Sequence, residues 1–154
     1  MSAFYRISPE TVVVSDAATK DDILRAVAGL LSGDEDGPTS DELLKSLQER
    51  EALGSTGFGN GIAMPHGRSD KVRRPRACLM RLEKPVDFDA TDGVPVSLVL
   101  GLFSPVDAGV SHLHALAALS RMVRSEEVRD LLLSAPDADA LYALMANVSE
   151  RHAA

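Results

Sequence analysis

The chain has 154 residues, of which 45% are hydrophobic and 25% are charged. This balance is typical of one soluble globular domain of ordinary size. The formal net charge of −7 argues against a nucleic acid as the main partner, because binding to a phosphate backbone depends on a cationic surface. Cys78 is the single cysteine, so an internal disulfide is excluded and we expect a reducing, cytoplasmic location.

Neither a signal peptide nor a membrane helix is expected. Residues 1–6 contain no apolar run of the kind that a signal peptide requires. The longest apolar stretch, residues 94–103, is interrupted by Pro95 and is far shorter than the ~20 residues that a membrane helix needs. We therefore expect residues 1–154 to form one cytoplasmic domain without membrane insertion.

The first elements along the chain are a short strand and a helix. The β-branched run at residues 12–14 predicts the strand. Thr19 and Asp22 have the spacing of a helix-capping signal, and an acidic loop at residues 32–38 ends the helix. Apolar residues at helical spacing predict its buried face: Ile23, Val27, Leu30 and Leu31.

A second helix follows, beginning with the capping pair Thr39 and Glu42 and ending near Gly54. Leu43, Leu44 and Leu47 form its buried face. From there we predict irregular backbone through the region of His66. Residues 77–82 and 96–103 predict strands separated by a turn at Asp92-Gly93, the second strand being apolar on both faces and therefore central.

The rest of the chain is predicted to be helical over residues 111–124, 125–133 and 137–148. The sequence contains no internal repeat, no low-complexity segment and no linker longer than a loop. The expected fold is therefore a single α/β domain, with a small sheet flanked by helices on both sides.

The strongest functional signal is the glycine-rich segment at residues 54–68, which contains His66. Its glycines permit positive φ angles, so that backbone N–H groups can converge on an anion. Pro65 fixes φ directly before the imidazole. A rigidly held imidazole beside anion-binding amides is what phosphoryl transfer to histidine requires, because the ring attacks as a nucleophile and then carries the group. A surface or structural histidine is the alternative.

Helical periodicity places two further histidines, His112 and His114, on different faces of their predicted helix. His112 shares a stripe with Leu116, Leu119 and Val123, whereas His114 falls on the more polar side with Ala118, Arg121 and Ser125. His112 is therefore predicted to point inward near the start of its helix, with Ser111 as the N-cap. There a neutral imidazole can donate a hydrogen bond to a phosphate. A core histidine with satisfied hydrogen bonds is the alternative.

Arg50 ends the second helix just before the glycine-rich segment. Its guanidinium either matches the geometry of a phosphate or is a solvated charge favoured by the helix macrodipole. Arg68, two residues after His66, is a weaker candidate, to which we assign no catalytic role. Nucleotide-binding glycine motifs are absent, and His112 and His114 at i and i+2 do not share a helix face. Neither a cofactor nor a metal is expected.

Residues 54–68 resemble the active-site segment of the enzyme IIA domains of the bacterial phosphotransferase system, in the mannitol/fructose/nitrogen-regulatory superfamily. Residues 86–90 with the following Asp-Gly turn, and residues 111–114, are similar to later landmarks of the same family, so the resemblance covers most of the chain. Residues 54–57 and the His-Leu-His element look most like the nitrogen-regulatory type. The resemblance implies the mannitol/fructose-type IIA fold, which contains a small mixed sheet.

The resemblance also implies roles for three residues. His66 would be the phosphoryl acceptor through its Nε2 atom, and His112 and Arg50 would lie nearby and stabilise the phosphate. The implied donor is an HPr-like phosphocarrier protein, and the exchange requires no nucleotide, metal or organic cofactor.

Two outputs are compatible with this resemblance. In a sugar-transporting system the group passes to a IIB domain for fructose or mannitol uptake. In the nitrogen-regulatory branch the phosphorylation state is a signal, read by regulatory or transport proteins. We expect the regulatory output, because the resemblance is strongest to the nitrogen-regulatory type. The lack of a IIB or membrane IIC portion on this chain agrees with that output, although separate sugar-specific IIA chains also exist. A protein-binding module that is never modified is the alternative of another class.

Overall fold

The computed structural model describes residues 4–33 and 35–153, with side chains through Ser149. Two parts of the sequence-based predictions lie outside the described residues: the start of the N-terminus at residues 1–3, and Asp34 of the acidic loop. The strands are β1 Val12–Ser15, β2 Gly57–Gly59, β3 Ile62–Ala63, β4 His66–Ser69, β5 Arg76–Val86 and β6 Val96–Pro105. The helices are α1 Lys20–Leu31, α2 Ser40–Ala52, α3 Val110–Arg124, α4 Glu126–Leu133 and α5 Ala138–Ala153.

The six strands form one mixed sheet in the order β1-β5-β6-β3-β2, with β4 also paired to β6. β1 is parallel to β5, β5 is antiparallel to β6, and both β3 and β4 run parallel to β6. β6 is therefore central. This agrees with its prediction as a strand that is apolar on both faces.

Helices cover both faces of the sheet, as expected. The side chains of β6 alternate between two hydrophobic cores, because successive residues of a strand point to opposite faces. Leu98, Leu100 and Leu102 pack on the side of α3, α4 and α5. Val99 and Phe103 pack on the side of α1 and α2. The site described below lies where β4, α2 and α3 meet around this strand.

Both predicted N-caps of the first two helices are confirmed. The hydroxyl of Thr19 accepts the backbone N–H of Asp22 at 3.1 Å, and that of Thr39 accepts the N–H of Glu42 at 3.2 Å. Each bond satisfies an N–H that lacks a partner within the first turn. Local sequence predicts these boundaries because donor and acceptor are only three residues apart.

Three predictions about local structure are wrong. The backbone through His66 is not irregular, because β2, β3 and β4 pair there. Ser111 is not the N-cap of α3, because the helix begins at Val110 after Gly109, whose φ of 52° and ψ of −114° suit glycine. Ala118 is buried and not on a polar side, because α4 and α5 pack against α3 and widen its buried face.

No helix within the described part of the chain is long and apolar enough to cross a membrane.

Candidate functional site

His66 is the first residue of β4, and its backbone pairs with Leu102 of β6. Its imidazole is half-buried, and its Nδ1 atom lies 2.7 Å from the carbonyl oxygen of Met64. A carbonyl oxygen can only accept a hydrogen bond, so Nδ1 carries the hydrogen. The Nε2 atom of the neutral ring therefore holds a lone pair.

The surroundings of His66 also keep its ring neutral. Burial lowers the pKa of His66 below its ordinary value, and the positive charge of Arg50 lowers it further. The Met64 carbonyl and Glu51 act in the opposite direction, but burial is the largest effect. At neutral pH the nucleophilic form of the imidazole is thus the populated one.

His112 lies beside His66. The centroids of the two rings are 5.7 Å apart and the rings are tilted by 49°. His112 is only 5% exposed, so the prediction that it points inward is confirmed. Burial and, to a smaller extent, the nearby charge of Arg68 lower the pKa of His112 to about 4. Its ring is neutral at pH 7, and its Nδ1 atom lies 2.7 Å from the hydroxyl oxygen of Ser104.

His114 is exposed, as its position on the helix predicts. Its ring contacts Phe4 edge-on, with 5.7 Å between the centroids.

Arg50 and His66 line the same open pocket, which has a volume of about 510 Å³. The Nη1 atom of Arg50 donates a hydrogen bond to the Gly54 carbonyl at 2.9 Å. Residues of the glycine-rich segment and of α3 complete the wall: Ser55, Thr56, Gly57, Phe58, Met64, Leu116, Ala117 and Ser120. The structure therefore brings Arg50 to His66. Arg68 is exposed, and its charge acts on His112.

Three amides of the glycine-rich segment already have acceptors within the protein. The N–H groups of Thr56, Gly57 and Asn60 donate to the side chains of Glu51, Ser55 and Asp92 respectively, at 2.9–3.2 Å. For these three groups, the expectation that they converge on an anion is wrong. Positive charge at the pocket comes from Arg50 instead.

The glycines of this segment allow the chain to turn and do not form an anion-binding loop with these three amides. Gly59, Asn60 and Gly61 all have positive φ, at 101°, 57° and 80°, a combination open mainly to glycine and asparagine. They connect β2 to β3. Gly67 allows a close approach, since a Cβ there would lie 2.6 Å from Ser46 Oγ and 2.8 Å from Phe103 Cε1.

Sequence reasoning missed Glu51, Lys20 and Ser104. The Glu51 side chain is only 6% exposed, and its Oε2 atom lies 2.9 Å from Lys20 Nζ. It also accepts the N–H and the hydroxyl of Thr56, which holds the pocket wall to α2. The sequence contained one signal for Glu51 and Lys20. An acidic residue in the last turn of a helix and a lysine at the start of another are both unfavourable with respect to the helix macrodipole, which indicates that each has a tertiary partner.

Among residues 4–33 and 35–149, no three His, Cys, Asp or Glu side chains are grouped as a metal site would require.

Comparison with known proteins identifies the family. The model for the family "Phosphoenolpyruvate-dependent sugar phosphotransferase system, EIIA 2" matches residues 7–148. The chain belongs to this EIIA family. A nitrogen regulatory protein from Pseudomonas aeruginosa is 41% identical over 130 residues, which cover 84% of each chain. The fructose-specific EIIA component of Haloferax volcanii is 38% identical over 110 residues, or 71% of each chain.

The EIIA fold is also confirmed by a solved structure. The crystal structure of the nitrogen regulatory protein IIA-Ntr from Neisseria meningitidis matches with a TM-score of 0.82 and 32% identity, covering 90% of this chain and 94% of that one. The resemblance to the nitrogen-regulatory type is thereby confirmed for this EIIA chain.

Proposed function

We propose that this EIIA chain is a phosphohistidine carrier that accepts a phosphoryl group from an HPr-like protein on Nε2 of His66. The observation that carries the proposal is the hydrogen bond between His66 Nδ1 and the Met64 carbonyl. It leaves the lone pair on Nε2 of a ring that lines an open pocket together with Arg50. Attack through Nε2 needs this tautomer, because only then does Nε2 hold the lone pair.

The transfer step is a displacement at phosphorus. The Nε2–P bond forms while the P–N bond to the donor's imidazole breaks, and the electron pair of the broken bond stays on the donor nitrogen. The proton on Nδ1 of His66 stays in place, and the Met64 carbonyl stabilises the positive charge that the ring acquires. His112 and Arg50 stabilise the phosphoryl oxygens through charge-assisted hydrogen bonds. Neither a metal nor an organic cofactor takes part.

An apolar rim around the pocket supports docking of the donor protein. Phe58 and Leu116 line the pocket. Val110 and Leu113 are exposed on the first turns of α3, next to His112. Protein interfaces use such apolar centres. Donor and acceptor histidines would meet inside this rim, shielded from water.

We propose a regulatory output for the carrier, which is supported by the 41% identical nitrogen regulatory protein. The second candidate is a sugar-specific component that passes the group to a IIB domain, and the 38% identical fructose-specific relative favours it. Residues 1–154 would act as one EIIA domain, supported by the match over residues 7–148. We place it in the cytoplasm, because its donor would draw on phosphoenolpyruvate there.

The acceptor is tested by incubation with phosphoenolpyruvate and the general phosphotransferase proteins. We expect wild type and the control variant His114→Ala to acquire acid-labile phosphate. His66→Ala should acquire none while keeping its circular dichroism spectrum, because a half-buried ring adds little to the core. Phosphate on His66→Ala would show that another residue is the acceptor. If wild type acquired no phosphate, the protein would instead be interpreted as a protein-binding module that is never modified.

The stabilising role of His112 is tested by its rate effect. His112→Ala should keep the acceptor but slow transfer by roughly tenfold to a hundredfold, because one charge-assisted hydrogen bond is worth roughly 1.5–3 kcal/mol. Transfer at the normal rate would contradict this role and would mean that His112 serves only as a buried core residue.

The output is tested by pull-down with wild type, His66→Ala and phosphorylated protein. Phosphorylation adds roughly −1.5 to −2 charges to a chain whose net charge is already −7. A regulatory partner should distinguish the two states by about tenfold, or ~1.4 kcal/mol. Identical partners in all three samples, with rapid transfer to a IIB domain, would favour the sugar-specific function.

A further inference from the structure

A serine hydroxyl is buried next to the site, in the central strand of the sheet. Ser104 lies near the end of β6, and its side chain is fully buried. Its backbone pairs with Arg68, two residues after His66. Among the described residues, its hydroxyl makes one hydrogen bond, to His112 Nδ1 at 2.7 Å. A buried hydroxyl on such a strand calls for an explanation, because its desolvation is unfavourable unless it is bonded.

The direction of this hydrogen bond follows from the lack of another partner. If Nδ1–H of His112 donated to the hydroxyl, the hydrogen of Ser104 would be buried without an acceptor within the described structure, and the desolvation of that hydroxyl would not be compensated. If the hydroxyl donates to Nδ1, both groups are satisfied. The second arrangement is therefore the stable one for a neutral ring, and it leaves the hydrogen of His112 on Nε2.

We infer that Ser104 is a positioning residue that holds His112 in the tautomer with its hydrogen on Nε2, the opposite of the tautomer at His66. The two rings, 5.7 Å apart, then differ in their Nε2 atoms. That of His66 has a lone pair for attack, because its Nδ1 donates to Met64. That of His112 has an N–H to donate to a phosphoryl oxygen. The other tautomer of His112 would present a lone pair, which repels that oxygen.

This inference rests on the proposed function for its consequence, but not for its direct test. In unphosphorylated wild-type protein, ¹⁵N–¹H correlation spectra of the histidine rings report which nitrogen is protonated. We expect a hydrogen on Nδ1 of His66 and on Nε2 of His112. A hydrogen on Nδ1 of His112 would overturn the inference, even if His66 proved to be the acceptor. Failure of wild type to take up phosphate would instead overturn the proposed function and leave the tautomers measurable.

A double-mutant comparison tests whether Ser104 acts through His112. Ser104→Ala should slow phosphoryl acceptance by about threefold to tenfold and shift the Nδ1 signal of His112, leaving the ring signals of His66 in place. Ser97→Ala, on the same strand, is the control and should transfer at the wild-type rate. The double variant Ser104→Ala/His112→Ala should be no slower than His112→Ala alone. Additive losses, or normal transfer by Ser104→Ala, would contradict a positioning role.

Discussion

Two opposing effects act on the imidazole of His66. Burial lowers its pKa because a charged ring loses hydration, whereas the Met64 carbonyl raises it by accepting from Nδ1. Burial is the larger effect. A single carbonyl thus selects the tautomer without making the ring basic, and the protein combines a neutral ring with an available Nε2 atom. This combination is what nucleophilic attack through Nε2 requires at neutral pH.

The pH dependence of phosphoryl acceptance follows from this lowered pKa. Protonation removes the lone pair of Nε2, and a pKa below the ordinary 6.5 moves that loss to lower pH. We therefore expect the acceptance rate to fall to half its maximum only at a pH below 6.5. Initial rates of phosphate uptake at saturating donor, with His114→Ala as the control, measure the profile. An apparent pKa at or above 6.5 would contradict the burial argument.

At the scale of elements, the ends of two helices support the pocket wall. Lys20 begins α1 and Glu51 lies in the last turn of α2. Both charges oppose the local macrodipole, but they pair with each other at 2.9 Å. Lys20 also lies 4.7 Å above the ring of Phe88, whose carbonyl accepts the hydroxyl of Ser55 at 2.8 Å. Unfavourable local placement is thus offset by tertiary contacts that hold the glycine-rich segment in place.

Removal of the Glu51 carboxylate should destabilise the protein. Glu51→Ala leaves the Thr56 amide without its acceptor and Lys20 with only the more distant carboxylate of Asp89, at 3.8 Å. We expect a loss of roughly 2–4 kcal/mol in the free energy of unfolding. Glu49→Ala is the matched control, since Glu49 is exposed on the same helix, and should change stability by less than about 0.5 kcal/mol. Urea unfolding of both variants provides the measurement. Equal midpoints would mean that the ion pair contributes no stability.

At the scale of the whole molecule, the central sheet separates two hydrophobic cores, and each core must be closely packed. Gly101 lies in β6, on the face of the sheet that packs against α1. A Cβ at this position would lie 2.6 Å from Val27 Cγ1 and 2.7 Å from Cys78 Sγ. The missing side chain therefore sets the distance between α1 and the sheet. The positions of α1 and of its N-terminal Lys20 depend on this packing.

Substitution of this glycine should strain the core on one side of the sheet. Gly101→Ala is expected to lower the free energy of unfolding by about 1–3 kcal/mol, because neighbouring side chains must move. Gly29→Ala is the control: Gly29 is exposed in α1 with no atom within 4 Å of an added Cβ. That variant should gain roughly 0.4–1 kcal/mol from helix propensity. Thermal unfolding distinguishes the two, and a stabilised Gly101→Ala would contradict the packing.

Features that depend on neighbours in the chain were determined by the sequence itself. The caps at Thr19 and Thr39, the turn at Asp92-Gly93 and the apolar pattern of β6 follow from local hydrogen bonds and periodicity. The motif at residues 54–68 was sufficient to single out His66 and to indicate the EIIA family. Periodicity along α3 was sufficient to point His112 inward.

Only the tertiary structure decided the features whose partners are distant in the chain. The short strands β3 and β4 form because β6 offers its edge to them, a contact that local propensity does not encode. The burial of Ala118 depends on α4 and α5. The bonds of Glu51 to Lys20 and of Ser104 to His112 arise when separate elements pack together. Sequence therefore singled out His66 as the candidate acceptor, but packing across the sheet determined the hydrogen bonds and charges around it.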